Sequence, residues 1–315
     1  MRLLFMGTPD FAATILEKLI QSKHEIIGVV TQPDKQKGRG REISFSPVKE
    51  LALKHGLTVY QPVKAKEEDF LSIVKDLSPE VIVVAAFGQI LPKILLDIPK
   101  KGCINVHASL LPKYRGAAPI QYSIIDGEEE TGITIMHMDV GIDTGDMILQ
   151  VKLPIAKEET GGSLFDKMAL LGGDAIIEAL QKIEDNIALR IPQDNDKATY
   201  VKMISKEMGK IDFAQPAEKI ERLVRGLNPW PSAYTWLEGK TLKLWKTDVE
   251  EDKADYANCL PGEVVEVRRD SLAVKTGKGI LVIRELQLEG KKRMAAEAFL
   301  RGYPILVGTK LGSLS

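Results

Sequence analysis

Residues 81–107 read VIVVAAFGQILPKILLDIPKKGCINVH, in which two short apolar runs enclose a loop and a short amphipathic stretch. The runs at residues 81–85 and 104–107 are rich in Val and Ile, a composition that predicts strands. Similar runs alternate with helical patterns from the N-terminus to about residue 182. This alternation predicts a Rossmann-like α/β fold, with a doubly wound and mostly parallel sheet. The other predicted strands are residues 3–6, 26–30, 57–60 and 131–138, and the predicted helices are residues 11–20, 48–55 and 163–182.

The pattern changes near residue 211, where one short helix precedes five strand-like runs separated by turns. Such a series of short strands predicts a small OB-like β-barrel. Residues 194–202, between the two patterns, are polar and aperiodic, as a linker would be. A chain of 315 residues is long enough for two cores. We therefore predict a Rossmann-like catalytic domain at residues 1–190, a linker at 191–207 and a barrel domain at 208–315.

The composition is that of a folded globular chain, with 44% apolar and 28% charged residues. The opening MRLLFMGTPDF carries one basic residue and only a short apolar run, so it predicts neither a signal peptide nor a membrane span. Cys103 and Cys259 have no metal-ligand spacing, which suits a reducing compartment. We expect a cytoplasmic protein with no membrane association and no obligate protein partner.

The net charge of −1 conceals an uneven distribution. Residues 1–200 carry 23 basic and 28 acidic side chains, whereas residues 201–315 carry 20 basic and 16 acidic ones. A mildly basic C-terminal part is compatible with a polyanionic partner, and ordinary surface variation explains it equally well.

Two polar residues, Asn105 and His107, lie two positions apart at the end of a predicted strand. Strand alternation places both side chains on one face, and α/β sheets bind ligands at the carboxyl ends of their strands. A hydrogen-bonded core histidine would explain one such residue. The pair, followed by the loop ASLLPKYRGAAPI, favours a functional site.

Two glycine-containing turns leave alternatives open. The first, Gly7-Thr8-Pro9-Asp10-Phe11, has one glycine where a dinucleotide fingerprint has three, which disfavours a nicotinamide dehydrogenase. A tight turn and a helix capped by Thr8 account for it, and a ligand contact is the alternative. In the second turn, Asp143 stands between two glycines and is either an Asx-turn residue or a functional carboxylate.

These segments together resemble the folate-dependent formyltransferases. The matching signature is Asn105-Val106-His107-Ala108-Ser109-Leu110-Leu111-Pro112, then Tyr114-Arg115-Gly116, then Gly141-Ile142-Asp143-Thr144-Gly145. The opening MGTPDFA, the segment TQPDKQKGRGREISFSPVK and the later NPWPSAY are similar to the branch of the family that formylates methionyl-tRNA. The motifs cover the chain nearly from end to end.

The resemblance implies that the formyl group of 10-formyltetrahydrofolate is transferred to the amine of methionine on initiator tRNA, for translation initiation. Attack of a neutral amine on the formyl carbonyl places negative charge on oxygen and positive charge on nitrogen. Asn105 would donate to that oxygen, and a protonated His107 would be a second donor. Asp143 would orient the imidazole and favour its charged form.

The resemblance also implies a folate pocket formed by three loops. Its residues would be Phe87, Gly88, Ile90, Leu91, Pro92, Ser109, Leu110, Leu111, Pro112, Asp139, Val140 and Gly141. Packing at the start of a helix explains residues 90–92 equally well. Although His107, His137 and three aspartates lie near one another in the sequence, strand alternation and the family pattern argue against a metal, and we expect none.

The segment KQKGRGR at residues 35–41 is basic, contains two glycines and has no apolar anchor. Such a run is often only a solvated loop, but in the family this loop reads the tRNA end, and Arg39 matches its chief contact. Other basic residues in the linker and near the C-terminus are further candidates. The predicted tRNA-binding residues are Lys35, Lys37, Arg39, Arg41, Lys206, Lys291, Lys292 and Arg293.

Two other interpretations remain open. Another folate-dependent formyltransferase or a formyl-folate hydrolase, acting on a nucleotide-linked amine or on water, would share Asn105, His107 and Asp143 without needing the basic loop. A noncatalytic tRNA-binding protein that has kept the fold would not need these three residues.

Overall fold

A computed structural model describes residues 1–37 and 42–312 of the chain. The chain forms two compact units. The first unit consists of Met1–Pro119, Glu130–Pro154 and Phe165–Val201, and the second of Ile120–Glu129, Ile155–Leu164 and the chain from Lys202 onward. Two short segments of the predicted catalytic domain thus belong to the second unit. The predicted boundaries at residues 190 and 207 stay a prediction.

The strands of the first unit are short, and most of them join one central sheet. They are β1 (Arg2–Gly7), β2 (Glu25–Val30), β3 (Lys35–Lys37), β4 (Glu42–Ser44), β5 (Val59–Tyr60), β6 (Val81–Ala85), β7 (Cys103–His107), β8 (Arg115–Gly116), β9 (Glu130–His137), β10 (Met147–Pro154) and β11 (Tyr200–Val201). The helices of the whole described chain are α1 (Asp10–Ile20), α2 (Pro47–Lys54), α3 (Glu68–Leu77), α4 (Lys93–Leu96), α5 (Pro119–Ile125), α6 (Gly161–Glu184), α7 (Ala217–Gly226) and α8 (Ala296–Gly302).

The central sheet of the first unit has seven strands in the order β10-β9-β7-β6-β1-β2-β5. The five strands from β7 to β5 pair in parallel, while β9 and β10 are antiparallel at the other edge. All five residues of β6 are buried, and a strand covered on both faces is expected to be apolar throughout. The predicted α/β fold with a mostly parallel sheet is confirmed.

Helices cover this sheet with their apolar faces. In α1, the buried residues Phe11, Ile15 and Leu19 recur at helical spacing. The helix α2 begins as its sequence predicts, because the Ser46 hydroxyl accepts a hydrogen bond from the Lys49 amide and Pro47 occupies the first turn. No helix in the described part of the chain is long and apolar enough to cross a bilayer.

The second unit is built on an antiparallel sheet. Its strands are β12 (Ala233–Leu237), β13 (Lys240–Glu250), β14 (Val264–Val267), β15 (Leu272–Lys275), β16 (Ile280–Leu288) and β17 (Met294–Ala295). They pair in the order β12-β13-β16-β15-β14, with β17 added to β16. This confirms the predicted separate β-domain.

The ends of this sheet are connected through the C-terminal segment rather than by direct strand pairing. The Leu311 amide donates to the Gly262 carbonyl, next to β14, and the Gly312 amide donates to the Trp236 carbonyl in β12. The backbone at residues 311–312 therefore bridges both edge strands, which gives the sheet its barrel-like closure.

The strand β10 was not among the predicted strands. Its burial alternates along MILQVKLP, and it lies at the edge of the sheet. An edge strand that is exposed on one face lacks the continuous apolar run that identifies the buried strands.

Candidate active site

The strand β7 carries Asn105 and His107 at the carboxyl end of the parallel part of the sheet. It lies between β6 and β9, and its antiparallel pairing with β9 continues to His107. The two side chains therefore lie on the same face. His107 is 6% exposed, and Asn105 is half-buried.

The loop between β9 and β10 brings Asp143 to this pair. Asp143 Oδ1 accepts a hydrogen bond from Asn105 Nδ2 at 3.3 Å. Asp143 Oδ2 accepts one from the Gly116 amide at 2.8 Å and lies 3.6 Å from His107 Nδ1. A single carboxylate thus contacts the amide and the imidazole that the sequence predicts. The structure places the three predicted catalytic side chains together.

Both ring nitrogens of His107 face polar groups of the protein. His107 Nε2 lies 2.9 Å from the Tyr114 carbonyl oxygen. A carbonyl oxygen can only accept, so Nε2 carries the hydrogen. The other ring nitrogen, Nδ1, faces the Asp143 carboxylate. The predicted hydrogen bond from His107 to the reacting oxygen stays a prediction.

The Asx turn of the Asp143 loop is made by a different aspartate. Asp139 Oδ1 accepts hydrogen bonds from the Gly141 amide at 2.9 Å and from the Thr144 hydroxyl at 2.6 Å. Asp139 thereby folds the loop, as Asx-turn residues do. The carboxylate of Asp143 is directed instead to Asn105 and His107, so the turn interpretation of Asp143 is wrong.

The loop after β6 is attached to the ends of two neighbouring strands. The Thr8 hydroxyl donates to the Phe87 carbonyl at 3.2 Å, and Gln32 Nε2 donates to the same carbonyl at 3.0 Å. Thr8 does not cap α1, because the residue before that helix is Pro9. The opening turn therefore positions the loop at residues 86–88.

Comparison with known proteins identifies the family of this chain. The family model described as formyl transferase matches residues 1–180, and the model of the formyl transferase C-terminal domain matches residues 203–304. A methionyl-tRNA formyltransferase of Agathobacter rectalis is 52% identical over 98% of this chain and 99% of its own length. The methionyl-tRNA formyltransferase of Clostridioides difficile is 49% identical over 99% and 100% of the two lengths.

The chain belongs to the methionyl-tRNA formyltransferase family. The predicted family and the predicted class of enzyme, a formyltransferase, are confirmed. Among solved structures, the sugar 3N-formyl transferase WlaRD aligns with a TM-score of 0.67 and 21% identity, over 93% of this chain and 99% of its own. That likeness shows a shared fold.

The residues predicted to bind folate in this formyltransferase divide by exposure. Phe87, Leu91, Ser109 and Leu111 are enclosed by protein, with at most 4% exposure. Others reach the surface. Ile90 is 85% exposed and Val140 73% exposed, and Gly88 and Gly141 are also exposed. Three more are half-buried: Pro92, Leu110 and Pro112. The Asp139 carboxylate accepts a hydrogen bond from the Gly141 amide of its own loop. The pocket itself stays a prediction.

The residues predicted to bind tRNA are only partly described. Arg39 and Arg41 lie outside the described residues, while Lys35 and Lys37 lie in β3, which pairs with β4. Lys206, Lys291 and Lys292 are exposed. Arg293 pairs with Glu285 and lies 4.8 Å from the centre of the Trp245 ring. Within the described ranges, no three His, Cys, Asp or Glu side chains are grouped closely enough to hold a metal ion.

Sequence reasoning gave no role to two residues at this site. Gly116, which the resemblance quoted, supplies the amide that holds Asp143. Gln193 lies in the predicted linker but donates to the carbonyls of Asp143 and Gly145. No periodic pattern or motif marks Gln193.

A buried histidine next to the site predicts how stability depends on pH. Burial, with a smaller effect of the Arg190 guanidinium, lowers the pKa of His137 from 6.5 to about 4. The unfolded chain takes up this proton near pH 6.5, so the stabilisation is complete above that pH and is lost as the pH falls towards 4. At about 1.4 kcal/mol per pKa unit, the loss is on the order of 3 kcal/mol.

The free energy of unfolding, measured by urea titration at pH values from 7 to 4, tests the predicted loss of stability. A His137→Gln variant should lose less stability over this range than the unmodified protein. A His55→Gln variant, which changes an exposed histidine, should behave like the unmodified protein. Equal pH dependence in all three proteins would contradict the expectation.

Proposed function

We propose that this chain transfers the formyl group of 10-formyltetrahydrofolate to the free amino group of methionine carried by initiator tRNA. The convergence of Asn105 and His107 on the Asp143 carboxylate is the observation that carries the proposal. Relatives named methionyl-tRNA formyltransferase, matched over nearly their whole length, support the acceptor. The WlaRD structure, determined in the presence of 5-N-formyl-THF, supports the folate donor.

Two exposed apolar side chains support a flat, partly apolar carrier as the donor. Ile90 and Val140 expose most of their side chains on the loop after β6 and on the loop that carries Asp143. A heterocycle packed against them would remove this apolar surface from water. Gly88 has a φ of +79°, which glycine adopts readily, and a Cβ at this position would lie 2.5 Å from Gln32 Nε2.

Asn105 donates a hydrogen bond to the formyl oxygen, which becomes negative during the reaction. Bound 10-formyltetrahydrofolate supplies a formyl carbon that an amine can attack. The Asn105 side-chain amide has two hydrogens, and one of them is donated in a hydrogen bond to Asp143 Oδ1. The other can donate to the formyl oxygen as the amine adds, which stabilises the charge that develops there.

Asp143 and His107 assist the proton transfer from the amine to the carrier nitrogen. A bond forms between the amine nitrogen and the formyl carbon, the bond from that carbon to the carrier nitrogen breaks, and one proton moves from the first nitrogen to the second. The Asp143 carboxylate can take this proton and pass it on, directly or through a water molecule. His107 Nδ1 lies 3.6 Å from Asp143 Oδ2. When the imidazole is protonated, it stabilises the negative charge of the carboxylate.

A formylation assay tests the proposed function. The protein is incubated with 10-formyltetrahydrofolate and either initiator or elongator methionyl-tRNA, and the product is analysed for formyl-methionine. Formylation of the initiator alone is expected. Transfer to an amino-sugar nucleotide supplied in a parallel incubation, or release of formate without any formyl-methionine, would instead support the alternatives raised by the sequence.

Neutralising the basic loop should weaken tRNA binding without affecting folate. We propose that Lys35, Lys37, Arg39 and Arg41 contact tRNA phosphates. Replacing all four with Gln should lower the affinity for tRNA and flatten its dependence on salt, since each lost phosphate contact removes nearly one unit of slope. A variant with four other exposed lysines changed to Gln (Lys54, Lys66, Lys75 and Lys100) is the control. An unchanged salt slope in the loop variant would reject the assignment.

A further inference from the structure

We infer that Gln193 is a positioning residue for formyl transfer, because it fixes the backbone that presents Asp143. This rests on the proposed function, in which Asp143 handles the proton. Gln193 Nε2 donates to the Asp143 carbonyl and to the Gly145 carbonyl, both at 2.8 Å. One side-chain amide therefore uses both of its hydrogens to hold the loop on either side of Thr144.

The orientation of this amide is set by a buried cation. Gln193 Oε1 accepts hydrogen bonds from Arg115 Nε at 3.1 Å and from Arg115 Nη2 at 2.8 Å. Arg115 is 1% exposed, and a guanidinium can only donate. A flipped amide would direct its hydrogens at the guanidinium and its oxygen at two carbonyls. The contacts of Gln193 thus admit a single orientation.

The choice of an amide at this position indicates a role beyond stability. Among the residues that the structure describes, the other side chains that accept from Arg115 are Asn195, at 2.7 Å, and Tyr200, at 2.8 Å, and these partners are all neutral. A carboxylate at position 193 would compensate the buried charge better. It would have no hydrogen to donate to the loop carbonyls. The glutamine meets both needs, and the loop contact is the one that requires an amide.

The consequence for Asp143 follows from its backbone. Asp143 has a φ of +53°, a left-handed conformation that is uncommon outside glycine and that aspartate tolerates better than most residues. Gln193 holds its carbonyl, while Gly116 and Asn105 hold its carboxylate. Releasing the carbonyl lets the loop relax and moves the carboxylate relative to His107. A displacement of about 1 Å in such a site costs roughly 10²-fold in rate.

A Gln193→Glu variant separates positioning from stability. It keeps the acceptor for Arg115 and adds a charge that pairs with it, but it lacks the donors to the loop. We expect kcat to fall by about 10- to 100-fold. The KM for tRNA should change little, the pH profile of kcat should shift, and Tm should be maintained or raised. A Gln193→Met variant, which has neither donor nor acceptor, should lose kcat as well.

An Asn195→Asp variant is the matched control. It places a carboxylate on the same guanidinium without contacting the Asp143 loop, so kcat should stay at its unmodified value. Normal kcat in Gln193→Glu, or equal losses in Gln193→Glu and Asn195→Asp, would overturn the inference.

An Asp143→Asn variant in the same assay distinguishes failure of this inference from failure of the proposed function. Full activity of Asp143→Asn would refute the proposed role of Asp143 itself. An inactive Asp143→Asn beside a fully active Gln193→Glu would refute only the role of Gln193.

Discussion

An Asn105→Ala variant is expected to lower kcat by about 10²-fold or more, which is the usual cost of removing a donor to a developing oxyanion. The affinity for tRNA should stay nearly unchanged, because Asn105 contacts Asp143 and lies at the end of β7, away from the basic loop in sequence. Because the interaction is made in the transition state, kcat and kcat/KM should fall together. Single-turnover formylation with saturating tRNA measures the chemical step directly.

A His107→Ala variant should show a loss of similar size, since it removes the imidazole that lies 3.6 Å from the Asp143 carboxylate. An Asn258→Ala variant, which changes an exposed asparagine of the second unit, is the control and should be fully active. If Asn105→Ala raised only the KM for folate and left kcat intact, Asn105 would contribute to binding alone. The oxyanion role would then be wrong.

A Gly116→Ala variant is expected to damage both activity and stability. Gly116 has a φ of +110°, and a Cβ at this position would lie 2.3 Å from the Val201 carbonyl oxygen. The backbone must shift, which disturbs the pairing of β8 with β11 and moves the amide that holds Asp143 Oδ2. We expect kcat to fall by roughly 10²-fold, as for other misplaced active-site groups. Strained backbone of this kind costs about 1–3 kcal/mol, so Tm should also fall.

A Gly56→Ala variant separates strain from displacement. Gly56 has a φ of +67° but open space around its Cβ position. Its replacement should cost some stability through backbone strain and leave kcat unchanged. Normal kcat in Gly116→Ala, measured alongside a lowered Tm, would show that the Gly116 amide does not position Asp143 for the reaction.

The elements predicted best from the sequence are the strands that are buried on both faces, because their residues are almost all apolar. The strands β1 and β6 are covered on both faces, so their apolar runs are continuous. The edge strand β10 alternates between buried and exposed residues and was missed. The bridge at residues 311–312 between the barrel edges is made by backbone amides, which leave no side-chain pattern.

The candidate active site shows the same division between local pattern and long-range contact. Strand periodicity alone places Asn105 and His107 on one face of β7. Asp143 could be assigned only through the family resemblance, because a carboxylate between glycines is also typical of a simple turn. In the structure, Asp139 makes the turn contacts, whereas the Asp143 carboxylate contacts Asn105 and lies 3.6 Å from His107.

By itself, the sequence determined the α/β class of the first unit, the separate β-domain, the formyltransferase family and the pair at the end of β7. These features depend on periodicity and on local motifs, which can be identified in the sequence alone. The tertiary structure alone decided that Nδ1 of His107 faces Asp143 and that Arg115, Gln193 and Gly116 support the Asp143 loop. Such contacts join residues about 30 to 80 positions apart, and long-range hydrogen bonds leave no periodic trace in either segment.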